Sequence, residues 1–363
     1  AGLAALAEST VLLRLTVACR AGLPAAEAKL LSGLLGCPEL ARDAIDYGMG
    51  GLAWHRSAVA PLKAACAPLP PQAPYAKEMG LLRYVLDTAA FASPESVCGA
   101  VEAYGEQVLG PTSSWLKIAG GVKAQTLVAC VAGAPSGGSV LEIGAYCGYS
   151  ALRMAAAAPD VRIATMEQDP VLAMIARNVI AFAGAEHVVD VWTGHSGVLL
   201  PRLVERAQLP ADVQMPVSAV FMDQRGSRYS EDLAAIEEGG LLRPGVVVVA
   251  DNVLKPGAPL FLWHIMNECS SQIVHVNEFA MPAEDWVSAS VHCLGPSARR
   301  QAAGSRAPVV LAELDRDADR IRERALNPGR SVSFEEWAAF AARMRESLKV
   351  VGIASTAGGQ TVS

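Results

Sequence analysis

Asp223, Asp251 and Asn252 each follow an apolar run, residues 217–222 for the first and residues 245–250 for the other two. Such runs read as buried parallel strands, and neighbouring parallel strands deliver their carboxyl ends to one crevice. Three oxygen-bearing side chains can converge there. Hard oxygen donors with few positive neighbours suit Mg2+ or Ca2+, whereas zinc calls for His or Cys. The alternative is that each acid caps the next helix or pairs with a nearby Arg. A further apolar run ends in Glu142-Ile143-Gly144-Ala145-Tyr146-Cys147-Gly148 and opens into a helix. Its glycines let a backbone approach a ligand, but the spacing is not that of a full dinucleotide or phosphate-loop fingerprint. Another strand-like run ends in Glu167, 23 residues after Gly144, where a carboxylate grips a ribose diol.

The elements that must hold these positions alternate regularly. Strands are expected near 139–143, 161–166, 188–193, 217–222 and 245–250, with helices at 150–158, 170–183, 196–204 and 230–238 between them. This is the pattern of a doubly wound α/β sheet, here with strand order 3-2-1-4-5 and residues 139–143 in the middle. Segments 271–279 and 286–294 are expected to pair antiparallel at the edge. Helices near 95–109 and 121–133 lead into the sheet. The chain thus divides into an Ala/Leu-rich helical extension over 1–95, a sheet domain over 96–295, and a loop with a helical tail over 296–363. In the tail, Ser333 and Glu336 form a capping box for a final helix. The same letters look like the exit of an EF-hand, but residues 325–330 supply too few acids and place Arg330 where that loop wants Gly. Trp54 and His55 read as a packed or surface pair.

The 363 residues carry 30 Lys and Arg against 36 Asp and Glu, a formal charge of -6, which leaves no basic footprint for nucleic acid. Glu8, Arg14 and Arg20 interrupt the most apolar segment, so no membrane span is expected. Eight Cys without zinc spacing or a CxxC pair fit a reduced intracellular compartment, the cytoplasm or an organelle lumen. A mean hydropathy of +0.29 fits either an Ala-rich interior or a face covered by protein partners of the helical extensions. The chain starts at Ala1 rather than Met, as processing or trimming would leave it.

Residues 141–154, Met222-Asp223, and Ala250-Asp251-Asn252-Val253 with Pro256-Gly257-Ala258-Pro259 strongly resemble the catechol O-methyltransferase family of class I S-adenosylmethionine-dependent enzymes, over about residues 98–295. The resemblance implies a seven-stranded Rossmann-like doubly wound sheet whose last strand is antiparallel, and methyl transfer from S-adenosylmethionine to one hydroxyl of a Mg2+-chelated catechol. It implies that Glu142 and Gly144 line the methionine side of the cofactor, that Tyr146 and Ser150 meet its carboxylate end, and that Glu167 holds its ribose and Ser196 its adenine. Asp223, Asp251 and Asn252 match the family's metal ligands in kind and order. Trp115 with 118–120 and Lys123 matches the stretch that closes over cofactor and substrate, and Pro256 matches a wall of the catechol pocket.

The departures fall beside the metal ligands. Where the family reads Asp-His-Trp-Lys-Asp-Arg-Tyr, this chain reads Asp223-Gln224-Arg225-Gly226-Ser227-Arg228-Tyr229. Glycine replaces the lysine that takes the hydroxyl proton. A charge also replaces an aromatic wall, which would suit a larger or anionic substrate. Gapless alignment puts Ala280 in place of the family's hydroxyl-gripping glutamate, and Glu278 is near enough to substitute only if the loop shifts. Three readings follow: a metal-dependent enzyme on a catechol-like acceptor, with Lys255 or Arg228 restoring a cation; a catalytically impaired structural subunit of a larger assembly; and a cofactor sensor.

Overall fold

The computed structural model describes residues 59–112, 114–207, 216–281, 283–292, 307–326 and 332–355. Trp54, His55, most of the helical extension and the loop over 297–306 lie outside the described residues.

The described strands form one seven-stranded sheet: β1 Ser139–Ile143, β2 Ile163–Glu167, β3 Val189–Thr193, β4 Val217–Met222, β5 Leu242–Ala250, β6 Ser270–Asn277 and β7 Glu284–Val291. Their order is β3-β2-β1-β4-β5-β7-β6, which keeps residues 139–143 central as the sequence predicts. β1, β2 and β4 are buried at every position, and β3 alternates; strands covered on both faces lose the period-two polar pattern. The two edge strands pair antiparallel as expected, with β7 the neighbour of β5 and antiparallel to both β5 and β6. Helix α9, Pro259–Glu268, separates β5 from β6, so β6 arrives one place out and the tight return through Glu278–Ala283 puts β7 in the gap.

The chain falls into two compact units. In the first, built on residues 144–199 and the described residues up to 118, the helices are α1 Val59–Ala65, α2 Ala76–Thr88, α3 Pro94–Ala103, α5 Tyr149–Ala157 and α6 Pro170–Phe182. Asp169 caps α6 by accepting from the amides of Val171 and Leu172, and Pro170 stands in its first turn, both favoured at a helix start. The second unit, residues 119–143 and the described residues from 200 onward, holds α4 Val122–Ala132, α8 Tyr229–Glu238, α9, α10 Val309–Leu326 and α11 Phe334–Val350. Helix α7, Ser196–Ala207, spans the division. The capping box predicted for the tail is present: Ser333 accepts from the Glu336 amide and Glu336 from the Ser333 amide.

Candidate active site

In the second unit, strand register levels the acids. Ile143 pairs with Met222 and Met222 with Ala250, so three strands end abreast. The amide of Asp223 then donates to Ile143 O at 2.9 Å, and that of Asp251 to Met222 O at 3.0 Å. Both acids leave the sheet at one height. Burial and the neighbouring Asp251 hold the Asp223 carboxyl well above the ordinary range. Burial likewise pushes Asp251 up to about 6, against the pull of Lys123. Glu142, wholly buried in β1, adds to the repulsion on Asp223.

Lys123 is the buried counter-ion of this cluster. It lies on α4 with 1% of its side chain exposed, and its Nζ is 2.9 Å from Asp251 Oδ1, 3.0 Å from Glu278 Oε1 and 3.0 Å from Asp285 Oδ2. Burial alone would lower its pKa, but the three carboxylates raise it well above the ordinary value. The sequence places Lys123 in a closing stretch; the structure makes it a fixed charge in the interior. Burial works to raise the Glu278 carboxyl, yet Lys123 and Lys255 bring it down to about 2. Asp285 accepts from Asn252 Nδ2 at 2.8 Å, from the Lys255 amide at 3.0 Å and from the Trp286 amide at 2.8 Å. Asp285 gives no sign of this role in the sequence, because a strand acid with no motif around it reads as surface. Glu278, rather than the exposed Ala280, is the glutamate brought to the cluster.

The departures take on physical form here. Arg225 does not present its charge as a pocket wall: its guanidinium is 2.9 Å from Asp319 and 3.1 Å from Glu323 on α10. Gln224 Nε2 donates to Asp232 at 2.9 Å, and Arg228 pairs with Glu231 and Asp232 in the first turn of α8. Lys255 is in the cluster, with Nζ 3.1 Å from Glu278 Oε2. A Cβ at Gly226 would lie 2.6 Å from Gly257 O and 3.1 Å from Arg322 Nη2, so the space a lysine would need is filled. Gly226→Lys should therefore cost about 1–3 kcal/mol by overpacking and should not raise methyl transfer. Chemical denaturation with a rate assay checks this; a faster enzyme of unchanged stability would show that the Gly257 loop yields.

In the first unit the turn after β1 is built for close approach. Gly144 and Gly148 have φ of 107° and 84°, and Tyr146 has φ 47°. A Cβ on Gly148 would meet Ile180 at 3.1 Å and the Ala176 backbone at 3.4 Å, so glycine is required by both conformation and packing. Glu167 Oε2 accepts from the Tyr146 amide at 2.8 Å and Oε1 from the Asp169 amide at 2.9 Å. Burial lifts its carboxyl to about 7 against those two amides. Ser150 and Ser196 are buried. Tyr146 donates from its hydroxyl to Glu78 on α2 at 2.6 Å, so a residue of the helical extension touches the turn, a contact that no spacing in the sequence signals.

Among the described residues, no group of three or more His, Cys, Asp or Glu side chains is arranged to hold a metal ion. The set Asp223, Asp251 and Asn252 contains two such side chains and one amide. Two carboxylates and an amide are hard donors of the kind such a cation takes, but Lys123 Nζ stands 2.9 Å from Asp251 Oδ1 and already supplies a positive charge there, and Asn252 gives its NH2 to Asp285. No helix among the described residues is long and apolar enough to cross a membrane.

A doubly wound sheet with an antiparallel β7, a glycine turn after β1 and acids after β2, β4 and β5 defines the class I methyltransferase architecture. The O-methyltransferase family model matches residues 125–282. Mouse catechol O-methyltransferase is 36% identical over 205 residues, covering 56% of this chain and 73% of its own, and the bovine enzyme is 35% identical over 204 residues, covering 56% and 71%. A solved Bacillus cereus O-methyltransferase in complex with SAH is 21% identical, covers 59% of this chain and 97% of its own, and has a TM-score of 0.44. The chain belongs to the catechol O-methyltransferase family of class I S-adenosylmethionine-dependent methyltransferases.

Proposed function

We propose that this chain is an O-methyltransferase that moves the methyl group of S-adenosylmethionine to one oxygen of a catechol-like acceptor, with Asp223, Asp251 and Asn252 holding Mg2+. The observation that carries the reading is the pair of strand-end carboxylates leaving the sheet at one height, Asp223 raised by burial and by Asp251, and Asp251 raised by burial, beside an Asn252 amide held by Asp285. When bound, the cofactor supplies an electrophilic methyl on sulfonium, and the metal lowers the pKa of a chelated hydroxyl. The protein's part is charge and placement. Lys123 pairs with Glu278 and Asp285 and orders them, Asp285 holds the Asn252 amide, and Lys255 is the cation we assign to the acceptor side, since Arg228 is held on α8. With no proton-accepting side chain at Gly226, the reaction relies on alignment and metal-lowered acidity. Labelled S-adenosylmethionine with catechols, with and without Mg2+, tests this; absence of metal-dependent transfer would exclude it.

For the cofactor we assign Glu142, Gly144, Tyr146, Ser150, Glu167 and Ser196. Both Glu167 oxygens accept backbone amides, Oε2 from Tyr146 and Oε1 from Asp169, and a carboxylate has lone pairs beyond these for a ribose hydroxyl. Glu167→Ala should weaken cofactor binding by roughly 2 kcal/mol. The ionised form is the better acceptor and the group titrates at about 7, so affinity should fall as pH is lowered from 8 to 6. Calorimetry at both pH values checks this, and a pH-independent affinity would remove Glu167 from the ribose site. The same raised pKa means that the contribution of Glu167 to folding is fully present below its unfolded value of 4.5 and is lost as pH rises through 7.

A second reading, a cofactor-binding subunit without catalysis that docks to protein partners through its helical extensions, is favoured by one observation. The Gly226 position is closed by Gly257 and Arg322. Tight cofactor binding without transfer on any vicinal-oxygen acceptor would select it.

A further inference from the structure

Lys255 is caged. Only 5% of its side chain is exposed, and its ammonium meets Glu278 Oε2 at 3.1 Å, Met281 Sδ at 3.6 Å and the ring of Trp337 at 5.6 Å from the centroid. Trp337 comes from α11, in the tail that follows the sheet. Its position is set by local chemistry: the Ser333–Glu336 capping box fixes where the helix begins, and Arg324 of α10 grips Glu336. Trp337 then packs edge-to-face on Phe340. Two turns on, Met344 lies against the same loop, where a Cβ on Gly257 would stand 3.1 Å from Met344 Cε. The buried face of α11, with Trp337, Phe340, Ala341 and Met344, is therefore laid along residues 252–258.

We propose that Trp337 is a positioning residue for the acceptor side of the site: its indole face holds the Lys255 ammonium on Glu278, so the C-terminal tail completes a charge network that runs through Lys123 to Asp251. The inference rests on the function proposed above. A desolvated ammonium over an indole is attracted to the ring face, whereas an aliphatic side chain of similar bulk only fills the space. Glu278 bridges both lysines, Oε1 to Lys123 and Oε2 to Lys255. If Lys255 swings away, Glu278 loses one of the two cations that fix its orientation.

The test compares Trp337→Phe with Trp337→Leu in the full chain. Native-state labelling of Lys255 by an amine-reactive reagent, read by mass spectrometry, should be about tenfold faster in the Leu variant and near wild type in the Phe variant. With a catechol acceptor, kcat should fall about tenfold for Leu, with cofactor affinity unchanged. In a Lys255→Met background the Phe and Leu variants should become kinetically alike, because the ring acts through that ammonium. Labelling of the Leu variant at the wild-type rate, or equal labelling of Phe and Leu, overturns the proposal. If the wild type transfers no methyl group while the labelling pattern holds, the functional reading fails, and what stands is that the Trp337 ring holds the Lys255 ammonium. Should Trp337→Leu not fold, labelling of the Phe variant against wild type decides, with fast labelling despite a retained ring counting against the proposal.

Discussion

Lys123→Met should lower folding stability by about 3–5 kcal/mol, the cost of removing one partner from a buried ionic cluster. Three carboxylates, Asp251, Glu278 and Asp285, lie within 3.0 Å of its Nζ. Methionine fills the volume but brings no charge, so whatever stability is lost reports the uncompensated acids. Glu278 would keep Lys255, and Asp285 would keep its backbone amides and Asn252. Among the described residues, Asp251 would keep the Asn252 amide. The pH dependence follows from the signs. Asp251 titrates at about 6 even with Lys123 present; a folded pKa above the unfolded 3.8 means that its contribution is full below 3.8 and lost as pH rises through 6. Glu278, held at about 2, acts oppositely: its contribution is present above 4.5 and lost as pH falls through 2. Without Lys123 the first effect grows and the second shrinks. The variant should therefore be least stable above pH 6 and recover in part near pH 5, where acids take up protons. Urea denaturation at pH 7.5 and 5 measures this. A loss under about 1 kcal/mol with no pH dependence would mean that solvent screens the cluster.

Asp251→Asn separates the metal reading from the structural role of the same residue. Lys123 retains Glu278 and Asp285 in this variant, so the fold should survive with a modest change. The hard anionic donor is gone, however, and an amide is a weaker ligand for a cation of this kind. Metal-dependent transfer should fall by about 10²-fold to 10⁴-fold, the range for removing a group essential to proton loss from the acceptor. Cofactor affinity, which we assign to the residues around Gly144 and Glu167, should change little. The informative measurements are Mn2+ binding to wild type and variant, and the rate with and without added metal. Undiminished activity in Asp251→Asn would show that the metal-centred mechanism is wrong while leaving the family assignment in place.

The sheet was legible in the letters because burial on both faces writes continuous apolar runs, and strand ends are marked by the change to Gly, Asp or Glu. Residues 217–222 and 245–250 needed only that, whereas the central place of 139–143 follows from the doubly wound topology. The glycine turn at 144–148 was legible because positive φ and close packing against Ile180 select one residue type. The capping box at Ser333 was legible because its two hydrogen bonds join residues three apart. What the sequence could not carry were contacts made by residues distant along the chain. Lys123 meets Asp285 across 162 positions, and neither has a local pattern that marks it as a buried ion. Glycine at 226 reads from sequence as a missing base, while the tertiary structure shows a filled space, with Gly257 O and Arg322 where a side chain would go. Arg225 reads as a charged pocket wall, until α10 brings Asp319 and Glu323 to it. Local hydrogen bonding and the two-residue strand period act over a few residues and leave their trace in them, whereas charge pairing and steric closure depend on which segments the fold brings together.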